Sequence, residues 1–211
     1  MKIQVWSDFV CPFCYMGERK FELALEKFAH KEEVELEFKS FELSMDSQKT
    51  KGKDIHQVIA DKYGVSYAQA KANNDKIAQA AKEVGLNYRF DLMQLNNTLL
   101  AHEIAQYAKL SGNGNELIRQ YFKGYFEEGM DIGEEEVLFQ IAEKTGLNMN
   151  ELKEKIKSGE LKKAVREDEQ SAQDLGINSV PHFIIDGKYA VSGAQDPALF
   201  LEALNQAYTQ K

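Results

Sequence analysis

The stretch WSDFVCPFCYMGERKF, residues 6–21, holds both cysteines of the chain, Cys11 and Cys14, with Pro12 and Phe13 between them. Two thiols at this spacing suit three kinds of chemistry: half of a metal site, a structural staple, or a redox couple in which one sulfur attacks and the other resolves. A tetrahedral zinc site needs four ligands, commonly a second close cysteine pair or two histidines at short spacing. The four histidines, His30, His56, His102 and His182, are scattered along the chain. A disulfide closing so short a loop removes little unfolded-state entropy, because that gain grows with loop length. The redox reading asks for an attacking sulfur with a lowered pKa, and the flanking residues meet that demand. Cys11 follows a strand-like stretch and precedes Pro12, which is placed as a first-turn proline. That puts Cys11 at the amino-terminal cap of a helix, where unpaired N–H groups and the positive dipole end favour thiolate over thiol. Cys14, one turn further in, is within reach of a mixed disulfide on Cys11 and is the less exposed sulfur. The nearby Asp8 carboxylate opposes thiolate formation, and Phe13 offers neither charge nor hydrogen bond, so a mildly activated thiol is expected.

The elements that must hold these thiols show in the hydrophobic periodicity. Residues 2–6, KIQVW, alternate with Ile3 and Val5 on one face, as a short strand does. From Pro12 the positions Gly17, Phe21, Ala24 and Phe28 recur as one face of a helix lasting to about residue 30. Residues 34–41 alternate again, Val34, Leu36 and Phe38 against Glu35, Glu37 and Lys39, which predicts a second strand parallel to the first after a right-handed crossover. Helical stretches follow at 54–63, 66–84, 97–111, 115–128, 134–145, 149–158 and 160–175, with Asp54, Ser66 and Asn115 as candidate starts. Gly64, Gly85, Gly112, Gly146 and Gly176 stand just past stretch ends, where a left-handed cap favours glycine. Strand character returns at 180–193, VPHFIIDGKYAVSG, where Asp186-Gly187 signals a two-residue hairpin turn. A last helix from about Pro197 turns Leu201 and Leu204 inward. The order is β-α-β, a block of helices, then β-β-α. It fits an α/β domain made of residues 1–45 and 160–211 and interrupted by an all-helical insertion, residues 46–159, since neither terminal piece has a self-sufficient sheet.

The bulk properties narrow the function. At 211 residues, 43% hydrophobic and 28% charged, the chain can build a core that needs neither disulfide nor metal. A net charge of -8 argues against a nucleic-acid partner, whose phosphates are bound by Lys and Arg. No window approaches the roughly 18 apolar residues of a membrane helix. MKIQVWSDF has one lysine and then alternation, unlike a signal peptide, so a cytoplasmic protein is expected. In that compartment a close cysteine pair is more often catalytic or metal-binding than structural. Near the other end, Pro181 opens the strand that should neighbour the first one. A cis Val180–Pro181 bond would present the Val180 backbone to a bound chain and turn Pro181 toward the sulfurs, although trans is the ordinary state of such bonds.

Four segments, SDFVCPFCYMGERKF, NNTLLAHEIAQYA, YFEEGMDIGE and GINSVPHFIIDGKYAVSGAQ, resemble in the same order the DsbA-like thioredoxin-fold oxidoreductases, most of all the FrnE-like branch. The resemblance covers nearly the whole chain. It implies a thioredoxin-like fold with a large helical insertion, Cys11 attacking, Cys14 resolving and Pro181 as the family's cis-proline. Secreted DsbA proteins usually carry histidine where Phe13 stands, so a strongly oxidising potential is not implied. Related 2-hydroxychromene-2-carboxylate isomerases and kappa-class glutathione transferases share the insertion but generally have serine where Cys11 stands. The intact pair therefore favours dithiol chemistry.

Candidate substrate contacts are Pro12, Phe13, Val180, His182, Asn97 and His102. Asn97 and His102 match the family's helical motif and either line the cleft or hold helices together, while His182 either touches substrate or points to solvent. Tyr121, Phe122, Tyr125 and Phe126 read as core before binding surface, and Met130 and Asp131 are placed to shape a loop over the site. The expected function is a cytoplasmic thiol-disulfide oxidoreductase without cofactor, acting on protein or small-molecule disulfides and thiols, with glutathione as a candidate co-substrate. Neither nucleic acid nor membrane is an expected partner, and the helical surface is compatible with a homodimer. Two rival functions are a glutathione-dependent transferase or isomerase of small aromatic electrophiles and a redox-gated chaperone or peptide-binding module.

Overall fold

In the computed structural model, which describes residues 1–44 and 53–210, a four-stranded mixed sheet carries the two cysteines at one end of its first strand. The strands β1 (Lys2–Ser7), β2 (Glu35–Ser40), β3 (His182–Ile185) and β4 (Tyr189–Ser192) lie in the order β2-β1-β3-β4. β1 pairs parallel with β2 from Lys2↔Glu35 to Ser7↔Ser40, and antiparallel with β3, where Trp6 faces His182. The crossover between the parallel strands is α1 (Pro12–Lys27), whose apolar face of Gly17, Phe21 and Ala24 is buried, with Phe28 buried just past its end. Phe21 stacks on Phe183 of β3 and meets Phe200 of α9 (Pro197–Thr209) edge-on, at ring distances of 5.5 and 5.7 Å.

The other face of the sheet is also covered, which is why β1 buries Trp6 as completely as Ile3. Trp6 packs against Ala172 and Ile177, and its indole N–H donates to the Asp168 carbonyl at 3.0 Å. Asp168 and Ala172 belong to α8 (Glu160–Asp174), which packs on β2 and on α4 (Leu99–Leu110). Between β2 and α8 run α2 (Ile55–Tyr63), α3 (Tyr67–Glu83), α4, α5 (Gly114–Phe126), α6 (Glu135–Lys144) and α7 (Met149–Ser158). This is an α/β thioredoxin-like fold with a helical insertion. The expected boundary between residues 45 and 46 lies outside the described residues.

Local signals set most of these limits. Asp54 caps α2 through the N–H groups of His56 and Gln57, and Ser66 opens α3 with Gln69 in a reciprocal capping box. α1 ends at Lys27, short of residue 30, because Phe28 leaves helical geometry (φ -79, ψ 125) to bury its ring. Asn115 is inside α5 and not its cap: the helix starts at Gly114 after Asn113. The Asp186-Gly187 turn has positive φ at both residues, 53 and 68, and is closed by the Lys188 N–H on the Ile185 carbonyl. Strand pairing resumes one residue later than the two-residue pattern predicts, at Ile185↔Tyr189, so Lys188 stays in the connection. In α9 it is Phe200 and Leu204 that are fully buried, with Leu201 at the edge.

Candidate active site

The site begins where β1 runs out. Asp8 turns the chain by accepting the Cys11 N–H at 3.1 Å, and Cys11 becomes the cap of α1 in extended geometry (φ -88, ψ 114). Pro12 then starts the helix without an N–H to lose, and the Cys14 N–H closes back on the Cys11 carbonyl at 3.0 Å. Both thiols are free, Cys11 with 5% of its surface exposed and Cys14 with 1%. The Cys11 thiol points at the Val180 carbonyl, 3.7 Å away, while the Cys14 sulfur accepts the Asp8 N–H at 3.5 Å.

One turn of helix separates two opposite environments. Hydrogen bonding from the Cys14 thiol, seconded by the N–H groups of Cys14 and Phe13, pulls the Cys11 pKa below its ordinary 9.0. Burial and the Asp8 charge oppose this without reversing it. Cys14 goes the other way, well above 9.0, because burial and its bond to Cys11 outweigh the help of Ser7 and Asp8. At neutral pH the pair thus holds a thiolate-prone sulfur over a protonated one.

Across from the pair the Val180–Pro181 peptide is cis, and the buried Pro181 leans on α1 at Gly17. A methyl group on Gly17 would stand 2.8 Å from Pro181 Cγ, so only glycine lets the two elements meet this closely. The Pro181 carbonyl is fixed by the Gly193 N–H at 2.8 Å.

Above Cys11 opens a cavity of about 440 Å³. Pro12, Phe13 and Val180 form part of one side of it, and the insertion supplies much of the other: Ile55 and Ile59 of α2, Ile77 of α3, and Phe90 and Met93 between α3 and α4. Beneath the turn that carries the two cysteines lies an aromatic bed. Tyr88 donates its hydroxyl to the Pro12 carbonyl at 2.6 Å and stacks on Tyr15 and Phe126, at 5.9 and 4.7 Å between rings. Tyr121, Phe122, Tyr125 and Phe126 are all buried in core, and Tyr125 and Phe126 also reach the cavity wall. Asp131 accepts the Asn96 side-chain amide at 2.7 Å, and Met130 packs on Gly124.

Of the nine expected site residues, Cys11, Pro12, Phe13 and Val180 line the cavity, Cys14 and Pro181 stand directly behind them, and three others lie elsewhere. His182 is half-buried in the β-ladder, its pKa lowered by burial. Asn97 accepts the Leu99 N–H at the start of α4 and points its amide at Glu42, 3.5 Å away. His102 is fully buried between Phe9 and Phe38, with Nε2 3.4 Å from the Asp8 carboxylate. Its connection to the cysteines runs through Asp8, which is itself buried and also holds the Leu43 N–H at 2.7 Å. Tyr88 and the isoleucines of α2 and α3 escaped the sequence reading. The isoleucines carry an apolar helical period that core residues share, and Tyr88 carries no pattern at all. Among the described residues no three His, Cys, Asp or Glu side chains gather to hold a metal ion, and no helix is long and apolar enough to cross a membrane.

The DSBA-like thioredoxin domain model matches residues 2–205. The chain is 27% identical over 211 residues to the uncharacterized protein YwbO of Bacillus subtilis, covering 99% of this chain and 98% of that one. It superposes with a TM-score of 0.92, at 32% identity over 100% of this chain and 91% of the other, on a probable DsbA oxidoreductase, SCO1869, from Streptomyces coelicolor. A cytosolic disulfide reductase, DsbM, from Pseudomonas aeruginosa, solved with GSH, shares the fold at a TM-score of 0.65 and 14% identity, covering 100% of this chain and 96% of that one.

Proposed function

The chain belongs to the DSBA-like thioredoxin domain family, and from that premise we propose that it is a thiol-disulfide oxidoreductase of the cytoplasm, with Cys11 attacking and Cys14 resolving. The observation that carries the reading is the split within one turn: a lowered pKa on the sulfur facing the cavity, a raised one on the sulfur behind it. The Cys11 thiolate attacks a disulfide RS–SR, forming a protein–SR bond and releasing RS⁻, which takes up a proton. Cys14 then loses its proton, attacks the Cys11 sulfur and expels the second RS⁻, leaving a Cys11–Cys14 disulfide and two RSH. Run backwards, the same steps oxidise a dithiol partner. The two sulfurs suffice for this exchange, so no cofactor enters the proposal. The cytoplasmic assignment is the one carried by the DsbM neighbour, and its bound GSH makes glutathione the first thiol to test here.

The test is trapping. Cys14→Ser should accumulate a mixed disulfide on Cys11, stable to gel electrophoresis and dissolved by dithiothreitol, while Cys11→Ser should exchange nothing. Equal turnover by Cys11→Ser and the parent protein would favour the transferase or isomerase reading instead.

A further inference from the structure

The walls of the cavity over Cys11 bear on what reaches it. Ile55, Ile59, Ile77, Phe90 and Met93 supply an apolar lining, and Asn73, Asn74 and Asn178 add uncharged amides. Among the described residues of the wall Lys62 is the one cation, exposed and with its Nζ donating to Ser44 Oγ at 3.2 Å. Asp8, the one carboxylate among those described residues, would repel an anion. A carboxylate that does not reach Lys62 loses its hydration in such a space without gaining a cation among the described residues, which costs several times the value of an ordinary hydrogen bond. The volume, about 440 Å³, is that of a small-molecule site, and Cys11, at its floor, exposes only 5% of its surface.

Building on the dithiol reading, we propose that the substrate is a low-molecular-weight, uncharged, largely apolar disulfide. Its apolar groups rest between the isoleucines of α2 and α3, and its sulfurs face Cys11. Electrons balance as before: the disulfide gains two electrons and two protons to become two thiols, and Cys11 and Cys14 lose them in forming their own bond.

The reduced full-length protein is mixed with one of three disulfides: that of N-benzoylcysteine methyl ester, glutathione disulfide, or a water-soluble peptide dimer. Each rate of Cys11–Cys14 oxidation is divided by that of the same disulfide with dithiothreitol, which removes intrinsic reactivity. The neutral disulfide should lead glutathione disulfide on the order of tenfold or more. Ile77→Asp should erase the lead. Ile59→Lys, which adds a cation to the same half-buried wall, should raise the glutathione rate, so the proposal does not hang on one variant folding. A glutathione or peptide rate equal to or above the neutral one overturns the proposal and leaves the dithiol function standing. If none of the three oxidises the pair, the dithiol reading itself falls and takes the proposal with it.

Discussion

Cys11 and Cys14 belong to one helical turn, yet the first is held toward thiolate and the second toward thiol. The causes are local: the hydrogen bond from the Cys14 thiol, then the helix-start N–H groups, at Cys11, and burial at Cys14. Asp8 raises the Cys11 pKa by its charge. Replacing it by asparagine removes that charge while keeping an oxygen for the Leu43 N–H. The Asp8→Asn variant should therefore titrate its Cys11 thiolate at lower pH than the parent, followed by thiolate ultraviolet absorbance. An unchanged or higher midpoint would remove Asp8 from the electrostatics of the site. The cysteines, Pro12, Phe13 and Asp8 were readable from the sequence because all their chemistry lies within seven residues. The Asp8–His102 contact was not, since it joins positions 94 apart and periodicity says nothing about such pairs.

Two elements meet at the site, α1 and the loop before β3, and Gly17 is where they touch. Gly17→Ala would gain about 1 kcal/mol of helix propensity but place a methyl 2.8 Å from Pro181 Cγ and 3.5 Å from the Ala194 backbone. The clash should win, lowering stability by about 1–3 kcal/mol in denaturant unfolding. Stability at or above that of the parent would mean the two elements part freely. Further along α1, Glu18 has a carboxylate oxygen sealed from solvent without a hydrogen-bond partner, and burial plus the Glu22 charge raise its pKa from 4.5 to about 8. The sign follows: below pH 4.5 the residue is protonated folded or unfolded, and as pH climbs toward 8 the folded state is increasingly penalised for ionising it. Glu18→Gln should then match the parent near pH 4 and exceed it by about 1–2 kcal/mol at pH 9, a figure reduced for the partial exposure of the group and its Arg119 neighbour. A difference independent of pH would contradict this. The helix itself was predictable from Gly17, Phe21, Ala24 and Phe28, but its contact with Pro181 needed the tertiary fold.

At the scale of the molecule, the division of labour is between the sheet with α1, which present the sulfurs, and the inserted helices that enclose them. The order of elements was legible because each strand and helix keeps its own hydrophobic period, and capping residues such as Asp54 and Ser66 mark starts. The cavity was not, because Ile55, Ile59 and Ile77 show the same apolar stripe whether that stripe meets a packed neighbour or a hollow. Tyr88 likewise became visible only where the insertion returns to hold the Pro12 carbonyl. The central claim, that Cys11 and Cys14 act as one dithiol couple, is tested most directly by equilibrating the protein across a series of glutathione redox buffers and reading thiol alkylation by mass. The account predicts a single two-electron transition between a dithiol and an intramolecular Cys11–Cys14 disulfide. A pair that never closes, or glutathione that stays on Cys11 without release by Cys14, would contradict it.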